Sequence, residues 1–508
     1  MRPDRELADI FGVVGDQFFI REGYITMNLS DMRTGNIHAE SLQFHGEGDL
    51  YRNRQAEVIA WFSGSCGQKT GYPAIFVNDA GKGKAAAFAY DLAASVVLFH
   101  QGLKENASTG SNPDTDGDAA YKPNDLFYGY LDERLKNIPQ ADIHQDILVN
   151  LIKEFLPLPV PRAWHFPDAA PAAALIDGDS DGMAAEALDR VMSISEEGGA
   201  KYTLYIMTKD FNVLSRENMK RLMEKGHDFG VHFWEGNRLP PPDAVKKNMR
   251  VETEGFLGRY KYSPVASRGH SVIWVGWTEH ADFLVENGVR LDCNFAAGPG
   301  YQEGYVNGSG LPVKFIDENG RVIDLYEQAT ISTDDGWMFD KCLLPAKTEG
   351  KAIADSLCQI DDLALKYHGV YHPYFHPGPA YMEKGPRPFK TDFWMETVIK
   401  YASHKGMYFV NGREWVEFND ARRNIRCENL SWDEEKGSLS FTILNPAGKK
   451  GITILLPICF EGRHTSPELV DGKVEAKTVF LEGKEQLALV DDGSPKNKIT
   501  VVYRSAGG

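Results

Sequence analysis

The sequence predicts an α/β protein built around a parallel sheet, with an N-terminal α/β accessory domain and a C-terminal β-sandwich. Between Ala172 and about Arg426, strand patterns alternate with helical patterns, which is typical of repeated βα units. After Arg426 the pattern changes to short alternating strands such as "SLSFTIL" and "KITVVYR", separated by turn residues. Repeated βα units form a parallel sheet, open or closed into a barrel, and collect chemistry at the carboxyl ends of the strands.

The bulk composition limits the class of protein. A chain of 508 residues is expected to hold about two to four domains. The formal net charge of −17 argues against a general nucleic-acid binder, because no surplus of positive charge is present. No apolar run approaches the length needed to span a bilayer.

Six cysteines are scattered without C-x-x-C spacing, so we expect isolated buried thiols and neither a zinc ribbon nor a disulfide scaffold. The compartment therefore stays open, and so does the oligomeric state. Because the chain starts abruptly, we expect an upstream segment, such as a signal for secretion or export to the periplasm.

Residues 1–156 mix short strands and helices. The stretch 72–102 predicts a strand, a glycine turn at Gly81–Gly83, a second strand and a helix over Ala93 to His100. It resembles the last strands of class I glutamine-amidotransferase-like domains. Since neither a nucleophile elbow nor its histidine is recognisable, the resemblance implies a partial, non-catalytic accessory domain.

The other domain borders follow from composition. Residues 157–171 carry five prolines, which favours an extended linker. We therefore predict a catalytic barrel over 172–426 and a β-sandwich over 427–508. Within the barrel, Leu188, Val191 and Met192 recur at helical spacing until Gly198 and Gly199 stop the helix.

Three aspartates at alternate positions follow the first strand of the barrel, in "AAALIDGDSDGM". Asp177, Asp179 and Asp181 are spaced like the first ligands of an EF-hand calcium loop, but the twelfth residue of such a loop would be Leu188, which cannot bind calcium. Crowded carboxylates repel one another, so a cation, hydrogen-bond donors or solvent must compensate them. Asp181 with Gly182 is expected to cap the following helix.

Histidines gather in the same half of the chain, where seven of the fourteen lie between positions 227 and 376. Because many of them end predicted strands, a parallel sheet would bring them together near the aspartates. Carboxylate and imidazole ligands with an open position suit zinc or a similar divalent ion that activates water. The histidines at or beside strand ends are His232, His270, His372 and His376.

Residues 172–420 resemble the polysaccharide deacetylases, on four motifs in the family's order. These are "ALIDGDSD", "GHDFGVH", "ASRGH" and "VYHPYFHP", of which the second is the most specific. The resemblance implies a distorted (β/α) barrel that uses a divalent metal, most simply Zn²⁺, to hydrolyse acyl groups from a carbohydrate, either an amino sugar or an acetylated glycan.

The resemblance also implies roles for individual residues. Asp177 maps to the general base, held by Arg268, and His376 maps to the general acid. Asp179 and His232 map to metal ligands. Because a glycine separates the two aspartates, the opposite assignment, with Asp179 as base and Asp177 as ligand, stays open. The family's second metal histidine falls on Gly236, so Glu235, Asn237 or His270 would complete the ligand set, and we assign His270. The residues expected to bind substrate are Trp234, Glu235, Asn237, Asp335, Trp337 and His372.

Two other functions stay open from the residues. The glycine at position 236 is compatible with an inactive glycan-binding protein on the same barrel. Paired carboxylates, Glu235 and Asp177, would instead suit a glycoside hydrolase. His227 is expected to be a structural hydrogen-bonding residue, and Trp234 and Trp274 are expected either to stack on sugar rings or to lie in the core.

Overall fold

The computed structural model describes most of the chain and divides it into two compact units. Unit 1 comprises Met1–His100, Pro139–Trp164 and Asn424–Gly508, and unit 2 comprises Gln101–Ile138 and His165–Arg423. Unit 1 is made of three stretches of the chain and unit 2 of two, and the domain borders predicted from composition stay a prediction. The described residues are 5–28, 41–108, 120–129, 131–234, 236, 238–296, 304–334, 348–381 and 390–505.

The N-terminal part of unit 1 is a five-stranded sheet in the order β2-β1-β3-β4-β5, and every pairing in it is antiparallel. The predicted hairpin is present, with Gly81 at a φ of +63° in the turn, and the predicted helix runs over Leu92–Gln101. Antiparallel pairing makes this part α+β, which differs from the predicted α/β accessory domain. The resemblance to glutamine amidotransferases stays a prediction. The strands are β1 (Val13–Met27), β2 (Leu42–Asn53), β3 (Glu57–Ser63), β4 (Lys69–Ala80), β5 (Gly83–Phe88) and, after the helix Gln140–Phe155, β6 (Arg162–Ala163).

Unit 2 contains the predicted parallel sheet. Along the order β13-β11-β10-β9-β8-β7-β16-β14 all strands run parallel, and only β12 joins antiparallel. One segment, 322–333, pairs with β11 through β13 and with β16 through β14, so the sheet curls back on itself. The strands are β7 (Ala173–Asp179), β8 (Tyr202–Ile206), β9 (Asp228–Phe233), β10 (Ala266–Gly269), β11 (Leu291–Asp292), β12 (Val313–Ile316), β13 (Val322–Glu327), β14 (Ser332–Thr333), β15 (Val370–Tyr371), β16 (Pro373–Tyr374) and β17 (Tyr408–Val410).

Helices cover the outside of this sheet. The predicted apolar stripe of Leu188, Val191 and Met192 packs into the main core, and its helix, Ala185–Glu197, ends at the glycine pair as expected. Strand β7 is buried along its whole length, which explains its continuous apolar run. The helices of unit 2 are Ala185–Glu197, Arg216–Glu224, Pro242–Tyr260, Glu279–Glu286, Glu349–Asp362, Pro377–Tyr381, Asp392–His404 and Gly412–Asn424.

The C-terminal part of unit 1 contains two four-stranded sheets that share one hydrophobic core, in the orders β18-β19-β26-β23 and β24-β25-β20-β6. A three-stranded sheet has the order β21-β22-β27. Their pairings are antiparallel, as the turn-rich alternating pattern predicts. The Pro-rich segment is not only a linker, because β6 extends the second sheet. The strands are β18 (Arg426–Asp433), β19 (Ser438–Leu444), β20 (Thr453–Pro457), β21 (Cys459–Phe460), β22 (Arg463–His464), β23 (Val470–Asp471), β24 (Val474–Leu481), β25 (Lys484–Asp491), β26 (Lys496–Val502) and β27 (Arg504–Ser505).

Two expectations about the whole chain are answered in the described residues. The cysteines there form no disulfide, but the expectation that they are buried holds only for Cys293, because Cys66, Cys358 and Cys459 are exposed. Within the same ranges, none of the helices combines the length and apolar character that crossing a bilayer requires.

Candidate metal centre

The sheet of unit 2 brings several polar side chains together at the carboxyl ends of its parallel strands. Asp177 and Asp179 lie two residues apart near the end of β7, so their side chains point to the same face. Asp179 is one step nearer the end of the strand. The two carboxylates therefore belong to two successive layers of side chains, and their surroundings differ.

The deeper layer contains three residues that we call the inner cluster: Asp177, Arg268 and His372. An Nη of Arg268 donates to both carboxylate oxygens of Asp177, at 3.0 and 2.9 Å. The Nε2 of His372 lies 2.9 Å from Asp177 Oδ2. All three side chains are fully buried, so Asp177 is compensated by a charge and a hydrogen bond from the protein itself.

The charges of the inner cluster stabilise its ionised forms. Burial alone would raise the pKa of Asp177, but Arg268 and His372 outweigh burial and hold that pKa below its usual value. Burial alone would lower the pKa of Arg268, but the charge of Asp177 raises it instead. The inner cluster is therefore a tight buried ion pair.

The layer nearer the strand ends contains five residues that we call the outer cluster: Asp179, Asp181, His232, His270 and His376. The Nε2 of His232 lies 3.3 Å from a carboxylate oxygen of each aspartate. The Nδ1 of His270 lies 2.9 Å from Asp181 Oδ1, and the Nε2 of His376 lies 3.4 Å from Asp179 Oδ1 and 3.8 Å from Asp181 Oδ2. Two carboxylates thus face three imidazoles.

Electrostatics in the outer cluster favour a cation. Burial lowers the pKa of His232, but the charges of Asp179 and Asp181 outweigh burial and raise it. Burial likewise raises the pKa of Asp181, but hydrogen bonds from His232 and His270 outweigh burial and lower it. Within the described ranges, neither aspartate forms an ion pair with a lysine or an arginine.

Backbone contacts fix the orientation of His232. Its Nδ1 lies 2.6 Å from the carbonyl oxygen of Arg268, and since a carbonyl can only accept, Nδ1 carries the hydrogen. The opposite nitrogen, Nε2, then faces the carboxylates with its lone pair available when the ring is neutral. Metal-binding histidines are commonly oriented in this way.

Asp334 fixes the orientation of His376. Its carboxylate accepts from the backbone N–H of His376 at 2.9 Å and from Nδ1 at 2.6 Å. Asp334 follows β14, which pairs with β16 just before His376, so the sheet itself brings the two residues together. The site assignment from the sequence took only the neighbouring Asp335 and gave Asp334 no role beside His376.

Tyr374 connects the two clusters. Its hydroxyl donates to Asp179 Oδ2, and the guanidinium of Arg268 lies 3.9 Å from the centre of its ring. Tyr374 is also the register partner of Asp177 on the neighbouring strand. A single side chain thus holds the outer carboxylate while it packs against the inner cation.

The expectation that Asp181 caps the next helix is wrong. That helix begins at Ala185, and its N-cap, Ala184, has no side-chain bond to the helix start. Asp181 instead adopts a φ of +30° and turns its carboxylate towards His232 and His270. The signal in the sequence that could have predicted this position of Asp181 is the spacing of the three aspartates at every second residue.

Gly236 shows why the second histidine of the deacetylase motif has no equivalent at this position. Its φ is +92°, a conformation that strains any residue with a Cβ. His270 approaches His232 from the neighbouring strand end instead, with 5.6 Å between ring centres.

The residues expected to bind substrate fall into three groups. His372 is fully buried in the inner cluster, so its assignment to substrate contact is wrong. Trp234 is half-buried and packs its ring against His270, with 4.6 Å between ring centres, and its role stays a prediction. Glu235, Asn237, Asp335 and Trp337 lie outside the described residues.

Two further expectations concern residues away from the clusters. His227 accepts a hydrogen bond from the backbone N–H of Tyr202 at 3.1 Å, which is a structural role. Trp274 lies in a hydrophobic core cluster and stacks on His280, so it is a core residue and no sugar platform.

The outer cluster has the donor set that a divalent cation requires. Donor atoms of Asp181, His232 and His270 all lie within 4.8 Å of one another, and so do those of Asp179, Asp181 and His376. The Oδ1 of Asp179 is buried without a hydrogen-bond partner, so an acceptor is left over. Imidazole and carboxylate together suit zinc and similar ions. The inner cluster, with Cys293, offers a third group of donors, but Arg268 already engages both oxygens of Asp177.

Comparison with known proteins gives similarities only at the level of solved structures. No family model matches the chain, and no curated protein matches it. A candidate polysaccharide deacetylase from Mycobacterium smegmatis is 15% identical, with a TM-score of 0.39, over 52% of this chain and 94% of that one. A family 4 acetyl xylan esterase from Clostridium thermocellum, in complex with a cobalt ion, is 15% identical, with a TM-score of 0.30, over 49% and 91%.

A CE4 family pseudoenzyme from Bacillus anthracis is 10% identical, with a TM-score of 0.31, over 49% of this chain and 66% of that one. At these values the chain is not assigned to a family. Its function is therefore inferred from the geometry of the site and from the sequence motifs.

Proposed function

We propose that this protein is a hydrolase that depends on a divalent metal and removes acyl groups, with a carbohydrate as the substrate class that its motifs imply. The observation that carries the proposal is the outer cluster, where two carboxylates and three imidazoles converge at strand ends. Within the described residues these carboxylates have no lysine or arginine partner. A bound cation would supply the missing positive charge.

Asp181, His232 and His270 are the residues that would hold the ion, because their donor atoms form one compact group. A divalent cation in such a place acts as a Lewis acid and lowers the pKa of water that it binds. The carbonyl of Arg268 keeps His232 in the orientation that this role needs. Asp181 and His270 are partly exposed, so the group is open to solvent on one side.

Asp179 is a better candidate for the general base than Asp177. Both oxygens of Asp177 are engaged by Arg268 and His372, so neither is left to accept a proton from water. Asp179 keeps one oxygen without a hydrogen-bond partner, beside the imidazoles of the outer cluster. The proposal therefore moves the base from Asp177 to Asp179 and the carboxylate ligand from Asp179 to Asp181.

His376 is the candidate general acid. Asp334 accepts from its Nδ1, so Nε2 is the nitrogen that faces the outer cluster and can pass a proton to a leaving group. Asp334 acts as a positioning residue, because it holds the ring through two hydrogen bonds. Tyr374 is likewise a positioning residue for Asp179, because its hydroxyl donates to Oδ2 of that carboxylate.

The glycoside hydrolase interpretation loses one of its two candidate carboxylates. Asp177, one of its two candidates, has no exposure, and Glu235, the other, lies outside the described residues. Retaining and inverting glycosidases both need two carboxyl groups that reach the sugar.

The test is acetate release from N-acetylated and O-acetylated oligosaccharides by protein that has been treated with a chelator and then given Zn²⁺ or Co²⁺. We expect release only after metal is restored, and none from His376→Gln, which should still take up metal. New reducing ends without acetate would identify a glycosidase. Glycan binding without either product would identify an inactive binder, and each of these results would contradict the proposal.

A further inference from the structure

The outer cluster contains two groups of metal donors. The first group, Asp181, His232 and His270, would hold the ion of the proposed function. The second group consists of Asp179, Asp181 and His376, whose donor atoms also lie within 4.8 Å of one another. Asp181 belongs to both groups. The two groups can therefore hold separate ions only if the carboxylate of Asp181 offers each of them a different oxygen.

The carboxylate of Asp181 turns one oxygen to each group. Its Oδ1 lies 2.9 Å from Nδ1 of His270 and 3.3 Å from Nε2 of His232. Its Oδ2 is the oxygen nearer to His376, at 3.8 Å from Nε2. Two-metal sites place their ions about 3.5–4 Å apart, a separation that the two oxygens of one carboxylate can span. Asp181 is therefore placed to bridge two ions.

Asp179 supplies the observation that points to a ligand in the second group. Its side chain is buried, and Tyr374 donates to its Oδ2. Its Oδ1 has no hydrogen-bond partner among the described residues, although Nε2 of His376 lies only 3.4 Å away. A buried carboxylate oxygen without a partner carries an energetic cost, and a cation in contact with it removes that cost.

His376 has the orientation and the spacing of a metal ligand in the second group. Asp334 accepts from its Nδ1 at 2.6 Å, which turns Nε2 to the two aspartates with its lone pair available when the ring is neutral. Donors around a tetrahedral zinc ion lie about 3.3–3.6 Å apart, because each bond to the ion is about 2.0–2.2 Å long. The distances from Nε2 to Asp179 and Asp181, 3.4 and 3.8 Å, are close to that spacing.

Charge and access also favour a second ion. The three carboxylates of Asp179, Asp181 and Asp334 carry more negative charge than one divalent ion neutralises. The side chain of Asp181 is 33% exposed, so an ion can approach the second group from solvent past this residue.

We propose that the outer cluster binds a second divalent ion at Asp179, Asp181 and His376, and that this second ion inhibits the protein. The inference rests on the proposed function, in which Asp179 is the candidate base and His376 the candidate acid. An ion held by these side chains occupies the oxygen that would accept a proton and the nitrogen that would donate one.

The two ions differ in affinity. The first group fills first, because it has two imidazoles, which zinc prefers. The second ion binds about 100-fold or more weakly, because it shares Asp181 with the first ion and is repelled by its charge. Dialysis should therefore remove the second ion and leave the first.

Titration calorimetry with Zn²⁺ counts the ions on full-length protein that has been freed of metal by a chelator. We expect two binding events in the wild type and only the tighter one in His376→Gln, which removes a ligand of the second group alone. His404→Gln is the matched control, because it removes an exposed histidine outside both groups, and it should keep both events.

Two further variants separate the roles of the aspartates. Asp179→Asn should weaken the second event by about tenfold or more and the first event less, and it keeps the test decisive if His376→Gln proves unable to fold. Asp181→Asn should weaken both events, since both ions share its charge. Circular dichroism checks that each variant is folded. A second event that survives in both His376→Gln and Asp179→Asn would mean that the second ion binds elsewhere, and the inference would be overturned.

Acetate release by the wild type over the same range of Zn²⁺ concentration connects the second ion to inhibition. Release should rise as the first event saturates and fall by about tenfold or more as the second saturates. Release that keeps rising with the second event would overturn the inference. A single binding event with restored release would overturn it too and leave the proposed function intact. No binding event, or two events without any release, would contradict the proposed function and the inference together.

Discussion

The inner and outer clusters use similar residues on neighbouring strands and meet the cost of buried carboxylates in opposite ways. In the inner cluster Asp177 receives two hydrogen bonds from Arg268 and one contact from His372, and nothing is exposed. In the outer cluster the partners of Asp179 and Asp181 among the described residues are imidazoles, which are positive only when protonated, and the neutral hydroxyl of Tyr374. One cluster therefore carries its own permanent cation, and the other does not.

This difference separates a structural site from a binding site. Removing a carboxylate from water is costly unless it is paired, so a cluster with a built-in arginine gains little from another cation. A cluster whose carboxylates have no arginine or lysine partner among the described residues has room for one. We propose that the outer cluster binds a divalent ion and that the inner cluster, in the deeper layer of side chains, stabilises the structure around it.

The largest expected effect on activity comes from replacing the candidate general acid while the candidate metal ligands stay in place. His376→Gln should lower kcat by about 100- to 10,000-fold, because it removes a general acid and leaves Asp181, His232 and His270 in place. Metal content should not change. Steady-state kinetics and elemental analysis check both points, with the exposed His404→Gln as control. An unchanged kcat would mean that His376 is not the acid.

Removing the built-in cation tests the inner cluster. Arg268→Met should lower the free energy of unfolding by about 3–5 kcal/mol, because it leaves the buried charge of Asp177 unpaired. The double variant Arg268→Met/Asp177→Leu should lose less, since neither charge remains. Urea unfolding of the two variants measures the difference. If the double variant is the less stable one, the inner cluster is not held by charge pairing.

Another pair of buried carboxyls forms no ion pair with an arginine or a histidine among the described residues. Asp292 and Glu327 are register partners on β11 and β13, and both are fully buried. Burial, which is the main cause, raises the pKa of Asp292 to about 6, and burial together with the charge of Asp292 raises that of Glu327. The folded state therefore prefers the protonated carboxyl, whereas an exposed aspartate titrates near its ordinary value of about 4.

The stability linked to Asp292 is present below that ordinary value and is lost as the pH rises through about 6. Asp292→Asn should therefore stabilise the protein by about 1–3 kcal/mol at pH 8 and hardly at all at pH 4. Chemical unfolding at both pH values measures this. An equal effect at pH 4 and pH 8 would show that the aspartate does not titrate in this range.

Backbone strain at Gly236 gives the smallest effect. Gly236→Ala should cost about 1–2 kcal/mol because its φ of +92° is unfavourable for a residue with a Cβ, although the added Cβ has no atom within 4 Å. Gly236→Asn should cost less, since asparagine tolerates this region better. Thermal unfolding ranks the two variants. Equal stability of alanine and glycine would show that the backbone there relaxes freely.

The sequence predicts the parallel sheet and most of the candidate site because both depend on local patterns. Buried strand runs that end in aspartate or histidine are visible in "ALIDGDSD" and "GHDFGVHFW". The antiparallel N-terminal sheet is not predictable in this way, since pairing joins residues that are far apart in the chain.

Asp181, Asp334 and His372 show the same limit of sequence reasoning. Asp181 reaches the outer cluster only because its backbone turns to a φ of +30°, and Asp334 reaches His376 only because β14 pairs with β16. His372 looked accessible beside a strand end, yet it lies in the deeper layer, which alternation alone does not reveal. Depth within a curled sheet is a property of the whole sheet and not of one strand.

Metal stoichiometry tests the central claim most directly. Wild-type protein, Asp181→Asn and His372→Gln would be incubated with Zn²⁺, dialysed and measured by elemental analysis, with circular dichroism to check folding. We expect about one ion per chain in the wild type and in His372→Gln, and a loss of the ion in Asp181→Asn. Loss in His372→Gln with retention in Asp181→Asn, or no uptake by the wild type, would contradict the account.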